Sequence, residues 1–215
     1  MSLRSWLGKG RTVRLLEHHD ILNPELFQRS AALQQAWDDV REAVALTDWP
    51  HGSGSFTIYP ESGKKSGEGN GVKLIKVPCI RVLRERGWDV EQLPDVGSSV
   101  LRTGDLDALK TTPEGFVAFE WETGNISSSH RALNKLFLTM KETATIGSFL
   151  VVPSNRLKIY LTDRIGNIGE LEPYFGLWRD LTGINGALRI VVVEHNAESF
   201  DVPKIPKGAD GRALR

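Results

Sequence analysis

At 215 residues, with 40% apolar and 25% charged side chains, the chain has the composition of an ordinary globular protein and the length for one domain with a substantial core. Its 27 basic residues balance 27 acidic ones, so bulk charge does not announce a nucleic-acid partner, and one cysteine excludes both an intrachain disulfide and a thiolate metal cluster. No run approaches the roughly 18 apolar residues of a membrane span and no signal-peptide pattern opens the chain, so no membrane association and a cytoplasmic location are expected.

Taken in order, Met1 to Asp20 is mixed and basic, with a short apolar piece at Val13 to Leu16. Asn23-Pro24-Glu25 predicts a helix start: a capping side chain, a proline whose missing N–H is harmless in the first turn, and an acid at the positive helix end. Leu26, Leu33, Trp37, Val40 and Val44 recur at three- and four-residue spacing. That spacing predicts a helix to about Ala45 with Asp38, Asp39 and Glu42 on its wet side. His51 to Gly71 is rich in glycine and serine, with a short strand at Phe56 to Tyr59 and a flexible loop from Glu61. Lys64, Lys65, Lys73, Lys76, Arg81, Arg84 and Arg86 crowd the next stretch; a solvated face and a phosphate-contacting face account for them equally well. A second helix is expected from about Pro78 to Gly87, with Ile80 and Leu83 inward and Cys79 as a small core residue.

The central stretch is Asp107 to Ser127. Leu106 to Leu109 and Phe116 to Trp121 read as two strands joined by the turn residues Thr111 to Gly115. Side chains alternate along a strand, so Glu120 and Glu122 share a direction, and folding the hairpin back brings Asp107 beside Glu120. Three carboxylates on one concave face repel one another unless a cation sits among them. Hard oxygen ligands without a nearby His or Cys favour Mg²⁺ over zinc. The bland alternative is a hairpin whose acidic face meets solvent.

Beyond the hairpin, Ser127-Ser128-Ser129 offers caps for a third helix. Its apolar stripe is Ala132, Leu133, Leu136, Phe137 and Met140, and His130, Arg131, Lys135 and Lys141 make the rest basic. Gly147 to Val152 reads as a buried strand and Leu157 to Leu161 as another. Pro173 opens a fourth helix carrying Tyr174, Leu177, Trp178 and Leu181, ended by Gly183. Leu188 to Val193 is the last strand, and residues 201–215 form an extended tail. This order predicts an α/β fold, a mixed central sheet with helices on both faces.

An Asp, about a dozen residues, and then Glu-x-(Lys or another acid) on a hairpin resembles the PD-(D/E)xK nuclease superfamily. The run Phe119-Glu-Trp-Glu-Thr-Gly-Asn-Ile-Ser-Ser-Ser-His-Arg131 is similar, more specifically, to the BamHI/BglII group of type II restriction endonucleases. Its type member has Glu-x-Glu in place of the commoner Glu-x-Lys, then an Asn three and a Ser five residues on that contact bases. Glu120, Glu122, Asn125 and Ser127 stand at those spacings, and Asp163-Arg164 stands where the group has an Asp-Arg pair that reads an outer G·C pair. The resemblance covers roughly Gly71 to Gly183 and implies a restriction-endonuclease-like sheet flanked by helices.

By that resemblance Asp107 and Glu120 hold Mg²⁺, Glu122 acts as general base, and Asn125, Ser127, Asp163 and Arg164 bind DNA. The partner is double-stranded DNA carrying a palindrome with a GATC-type core, bound by a homodimer. The helix from Ser127 and the one near Pro173 to Leu181 would pair the subunits, although Phe137, Phe175 and Trp178 are equally explicable as core. Asp105 shares a face with Asp107; Asp107 is preferred because it follows Leu106 within the strand-like run. Glu85 and Glu91 are candidates for a further acid found in part of the group. A repair or non-sequence-specific nuclease of the superfamily, and a non-catalytic DNA-binding protein on this fold, are the competing readings.

Overall fold

The computed structural model describes residues 13–65, 68–94, 104–122, 124–162 and 164–207. In chain order the strands are Arg14–Leu22 (β1), Thr57–Ile58 (β2), Asp89–Gln92 (β3), Leu106–Thr112 (β4), Gly115–Trp121 (β5), Thr145–Pro153 (β6), Ala187–Glu194 (β7) and Ala197–Glu198 (β8). The α-helices are Leu26–Arg29 (α1), Ala31–Ala45 (α2), Val77–Glu85 (α3), Ile126–Glu142 (α4), Ile168–Leu171 (α5) and Phe175–Arg179 (α6).

A six-stranded sheet runs in the order β1-β7-β6-β5-β4-β3, and β2 pairs with β8 in a separate two-stranded sheet. β5, β6 and β7 are mutually parallel, while β1, β4 and β3 are antiparallel to their neighbours, so the expected mixed sheet is present. Alternation along β5 sends Val117, Phe119 and Trp121 into one core with α2 and α3, including Leu33, Val40, Cys79 and Leu83. Ala118 faces the other, built from Leu133, Leu136 and Met140 of α4 together with Phe175 and Trp178. Cys79 is fully buried, and burial pushes its thiol well above the ordinary value, as expected of a packing residue.

Several expectations are corrected. The single helix after Asn23 is two, because Ser30 adopts an extended conformation and its hydroxyl accepts from Leu33 N at 3.0 Å, starting α2 afresh. Asn23 caps nothing; at φ 42° it donates Nδ2 to the Ile184 and Gly186 carbonyls. Leu157–Tyr160 is a 3-10 helix rather than a strand, since Ser154 Oγ accepts from the Arg156 and Leu157 amides and curls the backbone. The helical region near Pro173 begins earlier, at α5, and passes through a 3-10 turn, so Phe175 and Trp178 turn inward while Tyr174, Leu177 and Leu181 are exposed. Strands β1 and β3 were not expected: their polar side chains hide the strand signal at the sheet edges. The loop from Glu61 is packed rather than loose where it is described. A Cβ on Gly63 would stand 1.5 Å from the Leu161 carbonyl oxygen, and buried Asn70 bonds to Tyr59 O, Tyr160 O and Ile205 N. Within the tail, Ile205 is buried and Pro203 O accepts from Trp49 Nε1.

Asp39, expected on the wet side of its helix, is 1% exposed. Its carboxylate accepts from Trp88 Nε1 and Gln35 Nε2, each at 3.0 Å, and pairs with Lys110 of β4. Burial works against the charge, but those donors prevail and hold the carboxyl below its usual value.

A second polar knot joins β7, β8 and the 3-10 helix. Buried His195 meets Glu198 Oε1 at 3.0 Å, Tyr160 donates to Glu198 Oε2 at 2.9 Å, and Arg156 donates at 2.6 Å. The hydrogen bond from His195, with those from Arg156 and Tyr160, pulls the Glu198 carboxyl down to about 2. A depressed carboxyl stabilises the fold fully above its unfolded value of about 4.3, and the contribution is lost as pH falls towards 2. Urea denaturation across that window should show a steeper acid loss for the wild type than for Glu198→Gln; parallel curves would remove this residue from the acid response.

Candidate active site

The β4–β5 hairpin closes through Pro113 and Glu114, and its ladder runs from Thr112↔Gly115 to Ala108↔Phe119. One step further along lie Asp107 and Glu120. There the ladder gives way: Asp107 Oδ2 accepts directly from Trp121 N at 2.9 Å. The two acids stand at the C-terminal end of β5, where parallel strands leave a sheet and where binding crevices in α/β proteins open. Glu122 follows, its N–H held by Val151 O at 2.9 Å and one carboxylate oxygen held by Gly124 N. Glu120 is buried, and Asp107 and Glu122 are half-buried near it at this end of the hairpin.

The surrounding charges were not foreseen. Lys76, at the start of α3, donates to Asp107 Oδ1 at 2.5 Å. Lys135, from the middle of α4, forms an ion pair with Glu120 Oε1 and a 2.8 Å hydrogen bond to the Asp105 carbonyl. The buried Oε1 of Glu120 thus faces the Lys135 ammonium group directly. Asp105 itself is exposed and offers the site its backbone; Glu85 and Glu91 are also exposed. Both lysines were legible only as members of basic runs.

Burial, then the neighbouring Asp107, raise the Glu120 carboxyl to about 7 against the opposing pull of Lys135 and Lys76. Glu122 is also raised, by burial first and by Asp107, while the Gly124 N–H opposes the shift. Two adjacent carboxylates, one of them buried, and the absence of nitrogen or sulfur donors from this set suit a hard cation. Among the described residues no three His, Cys, Asp or Glu side chains gather closely enough to hold an ion as they stand. Two carboxylates bracketed by ammonium groups are the present arrangement.

Just past the carboxylates, Asn125 and Ser127 are exposed at the start of α4. Asn125, rather than the serines, is the N-cap, its Oδ1 accepting from Ser128 N at 3.1 Å. A strap from residue 164 runs antiparallel beside it: Ile126 N donates to Arg164 O and Gly166 N to Gly124 O, each at 3.0 Å, around an Asn125↔Ile165 bridge. Arg164 is exposed, with a left-handed backbone at φ 59°. Asn125, Ser127 and Arg164 are therefore brought together beside the carboxylates, while Asp163 lies outside the described residues. A cleft of about 310 Å³ opens beside them, bordered by Lys64, Lys158 and Arg164.

A family model described as restriction endonuclease BamHI matches residues 13–212. The chain is 46% identical over 178 residues to the type II restriction enzyme OkrAI of Oceanobacter kriegii, covering 83% of this chain and 89% of that protein. It is 35% identical over 199 residues to the type II restriction enzyme BamHI of Bacillus amyloliquefaciens, covering 89% and 88%. Its fold is similar to that of restriction endonuclease BglII, solved in complex with a DNA 16-mer, with a TM-score of 0.60 and 12% identity over 84% of this chain and 78% of that one.

The raised Glu120 carboxyl carries a linkage consequence. A group whose folded value exceeds its unfolded one contributes stability at low pH and loses it as pH rises through the folded value. In chelator-treated protein, the urea midpoint should therefore fall between about pH 4.3 and about 7 relative to Glu120→Gln, whose amide does not titrate. Identical pH profiles for the two proteins would contradict the raised value.

Proposed function

The chain belongs to the BamHI family of restriction endonucleases, and on that premise we propose that it is a Mg²⁺-dependent enzyme cutting double-stranded DNA at a palindrome with a GATC-type core. The observation that carries this reading is the meeting of Asp107 and Glu120 at the end of β5, two residues before Glu122 and five before Asn125.

Asp107 and Glu120 are the residues to hold the cation. When bound, Mg²⁺ supplies positive charge to the scissile phosphate and acidity to an attacking water. Glu122 stands where a lysine is commoner in the superfamily and does different work. Burial raises its carboxyl, so it is better matched to accept a proton near neutral pH than an exposed glutamate, and Gly124 N fixes one of its oxygens.

Recognition falls to the segments beside it. Asn125 Oδ1 is engaged with Ser128, which leaves the amide nitrogen to donate to a purine acceptor. Arg164 suits guanine O6 and N7, with Asp163 as its companion for the paired cytosine. Two symmetric half-sites call for two copies of the chain. Exposed Leu138, Tyr174, Leu177 and Leu181, on α4 and around α6, give such a homodimer an apolar surface. Phe137, Phe175 and Trp178, by contrast, are core. No helix among the described residues is long and apolar enough to cross a membrane, and DNA cutting of this kind belongs in the cytoplasm. Neither competing reading, a repair nuclease or a non-catalytic binder, has an observation in its favour.

Asp107→Ala and Glu120→Ala should each abolish cleavage of plasmid DNA in Mg²⁺ yet retain or improve DNA binding in a gel-shift assay, since each removes negative charge near phosphates. Cleavage at near wild-type rate by either variant would place the site elsewhere.

Arg164→Ala should remove about 1–3 kcal/mol of discrimination, a factor of roughly 5 to 150, concentrated on one symmetric pair of positions. Lys64→Ala, as a loss of phosphate contact, should weaken all sequences alike and flatten the salt dependence. Cleavage rates on every single-base variant of the site distinguish the two patterns, and a uniform drop for Arg164→Ala would leave it only a backbone contact.

A further inference from the structure

Lys135 and Lys76 reach the carboxylates from different helices on different layers. Lys135 rises from α4, with its side chain 14% exposed, to Glu120; Lys76 comes from the start of α3, 29% exposed, to Asp107. Neither takes part in the hairpin's own ladder or in the Trp121 N bond to Asp107. Their ammonium groups stand against the carboxylate oxygens that a divalent cation would need. The Lys135 ammonium that pairs with Glu120 also donates to the Asp105 carbonyl at 2.8 Å, a second anchor at the rim. Lysine is suited to such service: a compact charge with rotatable donors on a flexible stem.

We propose that Lys135 and Lys76 are resident counter-ions of the carboxylate site, displaced from Glu120 and Asp107 when a divalent cation binds. This rests on the reading of Asp107 and Glu120 as cation ligands. Before the cation arrives, the two ammonium groups offset the repulsion between the acids. To bind, it must displace them, so its affinity for the DNA-free protein is held down. DNA brings phosphate oxygens that take up displaced ammonium groups, so DNA and the divalent cation bind with positive linkage, and removing a lysine weakens that linkage.

Calcium titration of the DNA-free protein by calorimetry tests the proposal, with urea midpoints confirming that each variant is folded. Lys135→Met should bind Ca²⁺ at least about tenfold more tightly than wild type, the scale of an adjacent charge acting on an ionised site. Lys135→Arg, which keeps the charge, should stay close to wild type, and Glu120→Ala should lose binding. Lys76→Met should also tighten binding, and it decides the matter if Lys135→Met does not fold. Unchanged or weaker affinity in the lysine-to-methionine variants, with binding still lost in Glu120→Ala, overturns the counter-ion role and spares the ligand assignment. Lys135→Arg tightening as much as Lys135→Met also overturns it. Glu120→Ala binding like wild type overturns both readings.

Discussion

Asp107 and Glu120 lie on neighbouring strands with one of them buried, and their repulsion is the constraint around which the centre of the molecule is arranged. Each acid is answered by a group from a different element. Asp107 has a β5 amide and the α3 lysine, Glu120 has the α4 lysine, and Glu122 has the amide of Gly124. Because α3 packs with the core on one side of the sheet and α4 with the core on the other, both layers are tied to the same few oxygens.

The same constraint demands a fixed strand register, since a slip of one residue would turn Asp107 to the wrong face. Asp39 guards against that slip from behind. Its pairing with Lys110, three residues along β4 from Asp107, and with Trp88 just before β3, binds α2 to the edge of the sheet. Stripping one partner from a buried ion pair of this kind costs about 3 kcal/mol or more, which explains how an acid is kept in the apolar layer.

The hairpin was legible because strand alternation and turn chemistry are local: the places of Asp107 and Glu120 on it follow from a period of two, and Glu122 lies just past its end. Helix α4 was legible from its stripe, and β6 and β7 from continuous apolar runs. What escaped is set by distant partners. Asp39 looks solvated until Trp88 and Lys110 are brought to it from far along the chain. The run from Leu157 looks like a strand until Ser154 bends it. Strand β1 carries four consecutive polar residues, Glu17 to Asp20, and becomes a strand only when β7 lies beside it. The two site lysines sit in basic runs with nothing local to distinguish them from surface charge.

Helix α4 is one unbroken rod from Ile126 to Glu142. Asn125 caps its first turn and Lys135 leaves it about 15 Å further along, at 1.5 Å per residue. Rods transmit displacement rather than absorb it. On the reading proposed above, a substitution that re-seats Asn125 on a different base also shifts the ammonium group resting on Glu120. A new target sequence in this scaffold is then difficult to reach by changing base contacts one at a time, because intermediates carry a mispositioned centre. Specificity would change in blocks, with the helix, its cap and its lysine exchanged together.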